Sequence, residues 1–303
     1  VSPQCSTAPG LDTPSPGVQT FGMQLTRKDA DVYVPDRAPF EEARSRCRLM
    51  GVAAHPDDLE IVAFESIVRG RAGEGFCGVV LGDGAGSPRA GEYAALDDAE
   101  MARVRLGEQR QAADAGAYGL LIQLRHPSSA VKDSRDEAVV DDLEAVVREL
   151  RPREIVTHDL SDRHDTHVAA LLKLLRALRR LPPELRPGRL TGCGVWRDLD
   201  WLSGGDRRLL DVSGQEPLAV ELIGAFRSQI GGGKRYDLGV LGRRRAQATF
   251  TESHATDAAE SLMVAMDLTP LLVEGGPTPL ELWDRYVAAF RDEVRERLVR
   301  LGA

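Results

Sequence analysis

Leu49-Met50-Gly51-Val52-Ala53-Ala54-His55-Pro56-Asp57-Asp58, with Glu60 two places on, sets an apolar run directly against an imidazole and two carboxylates. A short apolar run closed by a polar, proline-bearing turn reads as a strand and the loop that leaves it. An imidazole and a carboxylate beside one turn can hold a divalent ion, while the second carboxylate, left free, can accept a proton from water. Whether this is a site depends on a further ligand elsewhere in the chain.

Outward from that stretch, short apolar runs alternate with helical patterns. Phe76 to Leu81, Leu120 to Leu124, Ile155 to Val156 and Gly194 to Trp196 read as further strands. Leu59 to Arg69, Asp98 to Gly116, Asp136 to Leu150 and His167 to Arg180 read as helices. In the third of these, Val139, Val140, Leu143, Val146, Val147 and Leu150 keep a 3.6-residue stripe, and Ser134 with Glu137 has the spacing of a capping box. Such alternation predicts an α/β fold with a mostly parallel sheet. Ligands then bind outside the carboxyl ends of the strands, where the loop beginning at His55 lies. Residues 1–25, rich in proline and hydroxyl side chains, read as an irregular arm ahead of one domain over 26–303, with a core at 48–200 and a substrate or lid region at 201–303. Beyond Pro182, Pro183 and Pro187 the remainder reads as helices and loops, ending in an apolar-faced helix from Leu280 to Leu301.

With 303 residues, 42% of them hydrophobic, the chain can bury a large core. The formal charge of −8 and the lack of a basic stripe with interleaved aromatics argue against nucleic acid or an anionic membrane as partner. On net charge alone, a small neutral or cationic substrate fits better. No apolar stretch reaches the roughly 18 to 20 residues of a membrane span, and the amino terminus lacks a signal-peptide layout. Cys5, Cys47, Cys77 and Cys193 are widely separated, without the spacing of a disulfide scaffold or a structural zinc site, so a reducing cytoplasm is the expected compartment. Self-association is left open.

A second polar cluster, Thr157-His158-Asp159 and then His164-Asp165-Thr166-His167, again follows a short apolar strand. Three of the six histidines fall here. In a helix beginning near His164, positions 164 and 167 share a face, so one can ligate a metal while the other points at a substrate.

These residues resemble the PIG-L/LmbE-like family of zinc-dependent N-deacetylases, whose members carry an AHPDD motif and a later HPDH motif. Ala54-His55-Pro56-Asp57-Asp58 and His164-Asp165-Thr166-His167 stand in those places. The resemblance implies a Rossmann-like fold with helices on both faces of the sheet. It also implies zinc held by His55, Asp58 and His167, Asp57 as general base, and His164 steadying the oxyanion or protonating the leaving amine. Two nitrogens and a carboxylate suit iron(II) as well. Arg105, in an R-x-x-E helix with Glu108, resembles a sugar contact, and His126 takes the stretch where the family often binds sugar hydroxyls. The expected substrate is an N-acetylated amino sugar or its conjugate.

The second motif departs from the family pattern, with Asp165 in place of proline and Thr166 in place of aspartate. Without that carboxylate the pKa of His164 should fall relative to a paired imidazole; Asp159, Asp162 or Asp165 could substitute if the loop folds back. Ser228-Gln229 echoes a pair in the family's carboxyl-terminal part, and Arg243-Arg244-Arg245 reads as a solvated helix face. Three other readings stand beside a deacetylase: a thiol-conjugate amidase of the same family, a zinc-binding homologue without turnover, and a nucleotide-binding protein using Gly82 to Gly86.

Overall fold

The computed structural model describes residues 23–303, so most of the arm expected over 1–25, Cys5 included, lies outside the described residues. Among the described residues eight strands form one sheet: β1 Asp31–Tyr33, β2 Leu49–Ala53, β3 Phe76–Gly82, β4 Leu120–His126, β5 Glu154–His158, β6 Arg189–Cys193, β7 Arg207–Asp211 and β8 Leu262–Asp267. Their order is β1-β4-β3-β2-β5-β6-β8-β7. The central five run parallel, from β4 through β3, β2 and β5 to β6. The chain leaves β2 toward β3 and β4 on one side and resumes with β5 and β6 on the other. A doubly wound sheet binds ligands where this order reverses, here between the carboxyl ends of β2 and β5.

Helices cover both faces: α1 Phe40–Ser45, α2 Asp58–Val62, α3 Phe64–Arg69, α4 Asp98–Ala115, α5 Ser128–Lys132, α6 Ala138–Leu150, α7 Asp165–Arg180, α8 Glu216–Gly224, α9 Arg227–Gly231, α10 Tyr236–Phe250 and α11 Pro279–Arg300. Successive strand residues feed two separate cores, as the two-residue period requires. Met50 and Val52, Cys77 and Val79, and Leu120 and Ile122 pack on one side with the buried stripe of α6. Leu49 and Ala53, Phe76 and Val80, and Leu121 pack on the other.

Several expectations are corrected. Gly194 to Trp196 is not a strand; β6 ends at Cys193, and the residues after it turn inward over the site. The region past residue 200 supplies two antiparallel strands, β7 and β8, besides its helices. β7 is short, and with exposed Leu209 it lacks a continuous apolar signal. The box at Ser134 and Glu137 does not form: Glu137 precedes α6 without a capping side-chain bond. Boxes form instead at Asp97 with Glu100 and at Thr278 with Glu281. Arg244 is not solvated. Buried at 3% exposure, it stacks on Phe64 at 4.1 Å and donates to the carbonyls of Glu60 and Ile61, closing the end of α2. Arg245, one residue on, is exposed and paired with Glu216.

Candidate active site

Two glycines determine how close α2 comes to the sheet. A Cβ on Gly51 would stand 2.8 Å from Leu59 Cδ2, and one on Gly78 2.7 Å from Leu59 Cδ1. Leu59 therefore fills a gap that only glycine leaves open in adjacent strands. Its complete burial contributes on the order of 2 kcal/mol, and it seats the turn that carries Asp57 and Asp58 directly over β2. Asp57 itself takes φ of +91°, a conformation few residues other than glycine adopt. Its N–H donates to Gln109 Oε1 at 3.0 Å and its Oδ2 accepts from Arg105 at 2.9 Å, so neighbours on α4 hold the strained turn.

Three ligand atoms converge at the switch point. His55 Nδ1 lies 3.1 Å from Asp58 Oδ2, His167 Nε2 lies 3.3 Å from the same oxygen, and the two ring nitrogens are 3.3 Å apart. Tetrahedral ligands with bonds of about 2.0–2.1 Å stand roughly 3.3 Å from one another, so the triangle suits a zinc-sized ion. On the far edge of its ring, His167 Nδ1 is 3.2 Å from Asp162 Oδ2, which also accepts from the N–H groups of Val195 and Trp196. With Nδ1 carrying the proton for that contact, Nε2 is left to coordinate. Burial opposes charge on His167, yet Asp58 and Asp162 push its pKa up to about 10. Asp58 is burdened by burial but held well below its usual range by His167.

Asp57 stays outside this triangle. Burial raises its pKa to about 6, against the opposing charge of Arg105 and with the help of Asp58. Arg105, 1% exposed, also donates to the Pro56 carbonyl and to Glu108 Oε2 at 3.0 Å. Glu108 in turn accepts from Ser228 N–H and Oγ at 2.6 and 2.7 Å. A line of buried polar contacts thus runs from the carboxyl-terminal half of the chain to the Asp57 carboxylate.

Residues 50–178 match the model of the GlcNAc-PI de-N-acetylase (PIG-L) family. This stretch is a PIG-L domain. It holds all three atoms of the triangle, together with Asp57 and Asp162. No curated protein matches the chain by sequence. Among solved structures, the conserved protein TT1542 from Thermus thermophilus is 20% identical, with a TM-score of 0.59 over 77% of this chain and 99% of its own. N,N'-diacetylchitobiose deacetylase from Pyrococcus horikoshii is 15% identical, with a TM-score of 0.57 over 71% and 82%. GalB, the 4-carboxy-2-hydroxymuconate hydratase from Pseudomonas putida KT2440, is 17% identical, with a TM-score of 0.52 over 75% and 98%. At these identities the likeness is one of fold.

The PIG-L domain and the segments after it enclose a cleft of about 610 Å3, which His55, Asp57, Asp58, His164 and His167 line. Clefts of this size take drug-sized ligands. His164 lies across from His55, with ring centroids 5.0 Å apart, and stacks toward Trp196. Burial, then the neighbouring His167 and His55, lower its pKa. Among the described residues its ring has no carboxylate partner: Asp162 gives one oxygen to the His164 backbone N–H and the other to His167, and His164 Nδ1 is left without a hydrogen bond. Thr166 is buried beside it. His158 is close but differently employed. Its Nε2 accepts from Ala54 N–H at 2.9 Å, which ties up the lone pair facing Asp58, and burial lowers its pKa to about 3, leaving the ring neutral.

The two expected substrate contacts are placed differently from each other. Arg105 reaches the cleft with its guanidinium already bonded to Asp57 and Glu108. His126 is buried, with Nε2 2.7 Å from Asp142 Oδ2, and does not line the cleft. That correction has a simple cause: β4 runs on to His126, so the ring follows the strand's alternation into the protein. His254 is exposed and likewise absent from the cleft. Sequence reasoning missed Asp162 as the partner of His167, and Trp196 and Tyr236 as walls. Asp162 carried a signal, a carboxylate within one turn of the second motif; the two aromatics carried none.

Proposed function

We propose that this protein is a metal-dependent amide hydrolase that removes an N-acetyl group from an amino-sugar-containing small molecule. The observation that carries the reading is the triangle of His55 Nδ1, Asp58 Oδ2 and His167 Nε2, with the unligated Asp57 beside it. The family of the 50–178 domain supports the reaction type. Because the same fold also serves a hydratase, the residues rather than the fold bear the argument.

His55, Asp58 and His167 would hold zinc or iron(II). When bound, the ion would supply Lewis-acid polarisation of water and of the amide carbonyl. Asp57 takes a proton from the attacking water as its oxygen bonds to the carbonyl carbon. Its pKa near 6 suits a group that must accept a proton and then release it near neutrality. His164, kept neutral by burial, donates an N–H to the tetrahedral oxyanion, worth on the order of 3 kcal/mol. Asp57 then passes its proton to the nitrogen as the C–N bond breaks, leaving acetate and a free amine.

The test is acetate release from a panel of N-acetylated amino sugars and pseudodisaccharides by the purified protein, with and without added zinc. Release that needs zinc is the expected result. Bound zinc with silence across the panel would overturn the reading in favour of a zinc-binding homologue without turnover, the alternative that Thr166 and the unsupported His164 favour.

A further inference from the structure

Lysine is scarce in this protein: four residues, Lys28, Lys132, Lys173 and Lys234, among 39 cationic side chains. Two of the four, Lys132 and Lys234, line the cleft together with Arg163. They reach it from three separate places. Lys132 ends α5 after β4, Arg163 lies in the loop after β5 between Asp162 and His164, and Lys234 precedes α10. Elsewhere arginines commonly have carboxylate partners, as in Arg208 with Asp267 and Arg235 with Asp237. None of these three cleft cations makes an ion pair among the described residues; Lys234 instead sits 4.7 Å over the ring of Trp196. The two carboxylates lining the cleft are otherwise engaged, Asp57 by Arg105 and Asp58 by the histidines.

Three like charges around one opening repel each other, and low-dielectric walls strengthen the field they make. An acidic protein that gathers unpaired cations at one cleft has built an attractor for negative charge there. The molecule's charge of −8, which by itself favours a neutral or cationic ligand, is thus reversed locally.

We infer that Lys132, Arg163 and Lys234, which line this cleft, form a subsite for an oxyanion group of the substrate, a phosphate ester or a carboxylate carried away from the scissile amide. The inference rests on the proposed hydrolase reading for which bond is cut, but not for what binds. Trp196 supports it physically, because the Lys234 ammonium lies over its ring, both residues line the cleft, and an indole face offers apolar surface to a sugar ring.

The experiment compares three probes on the zinc-loaded full chain: a neutral methyl glycoside of N-acetylglucosamine, N-acetylglucosamine 1-phosphate and N-acetylmuramic acid. Binding is followed by calorimetry at low and high salt, and acetate release is followed separately. At least one anionic probe should bind ten-fold or more tightly than the neutral one, and that preference should shrink in high salt. Which anion is favoured separates phosphate from carboxylate. In Lys132→Glu and Lys234→Glu the preference should disappear while binding of the neutral probe is kept; Arg300→Glu, the same charge change at the exposed end of α11, should leave it intact. Equal binding of all three probes, or a preference that survives both lysine variants, overturns the subsite. Anion preference without acetate release would keep the subsite and remove the hydrolase reading; release without preference would do the reverse.

Discussion

Asp162 Oδ2 stands 3.2 Å from Nδ1 of His167, on the ring edge opposite the one that meets His55 and Asp58. A carboxylate in that position sets both the tautomer and the angle of the ring. Asp162→Asn should therefore lower zinc affinity by about 10- to 100-fold without unfolding the protein. Competition against a chromogenic chelator measures it, and an unchanged affinity would show that the ring is held by packing alone.

Asp57 and His55 should separate binding from turnover. Asp57→Asn is expected to keep a full equivalent of metal and lose about 10^2- to 10^4-fold in activity. His55→Ala should lose both. Metal content by mass spectrometry alongside acetate release distinguishes them, and near-native turnover in Asp57→Asn would remove it as the base.

Metal uptake should also release protons. The metal-free His167 is protonated up to a pKa of about 10, so at neutral pH an ion must displace that proton to reach Nε2. Affinity should then rise with pH and weaken as pH falls. Calorimetry in buffers of different ionisation enthalpy reads the proton count directly; heat that is independent of buffer would contradict the assignment.

Glu60 gives a pH effect on stability alone. Burial lifts its pKa from 4.5 to about 7, despite bonds from Tyr118 and Gln109. A carboxyl that holds its proton more tightly when folded favours the fold most below pH 4.5. That advantage is lost as pH rises toward 7, at a cost on the order of 3 kcal/mol above it. Glu60→Gln should be more stable than the parent at pH 8 and indistinguishable at pH 4, as followed by urea denaturation at each pH.

Much of this arrangement was readable in the chain. Parallel β2 and β3 are continuous apolar runs because both faces are buried, whereas parallel β6, Arg189–Cys193, is not and reads instead at 194–196; the stripe of α6 is regular because one core receives it. His55 and Asp58 are close in sequence, and His167 follows His164 by one helical turn, so local geometry already grouped them. The antiparallel edges were not readable: β1 is three residues long, and β7 carries Arg207 and Arg208 where an apolar signal would be needed. Arg244 looked like surface because two arginines flank it, although its guanidinium ends up under α2. Ser228 and Glu108 meet across 120 positions, and no pattern in either segment announces the other.

That last contact bears on inheritance. Both oxygens of Glu108 serve Ser228, one of them shared with Arg105, which grips Asp57. The tail of the chain is consequently no detachable accessory. A chimera that exchanged the segment after residue 200 with that of a relative would have to bring its own hydroxyl for Glu108, or the Asp57 carboxylate would lose its alignment. Drift in one half of the gene is answerable to chemistry written in the other.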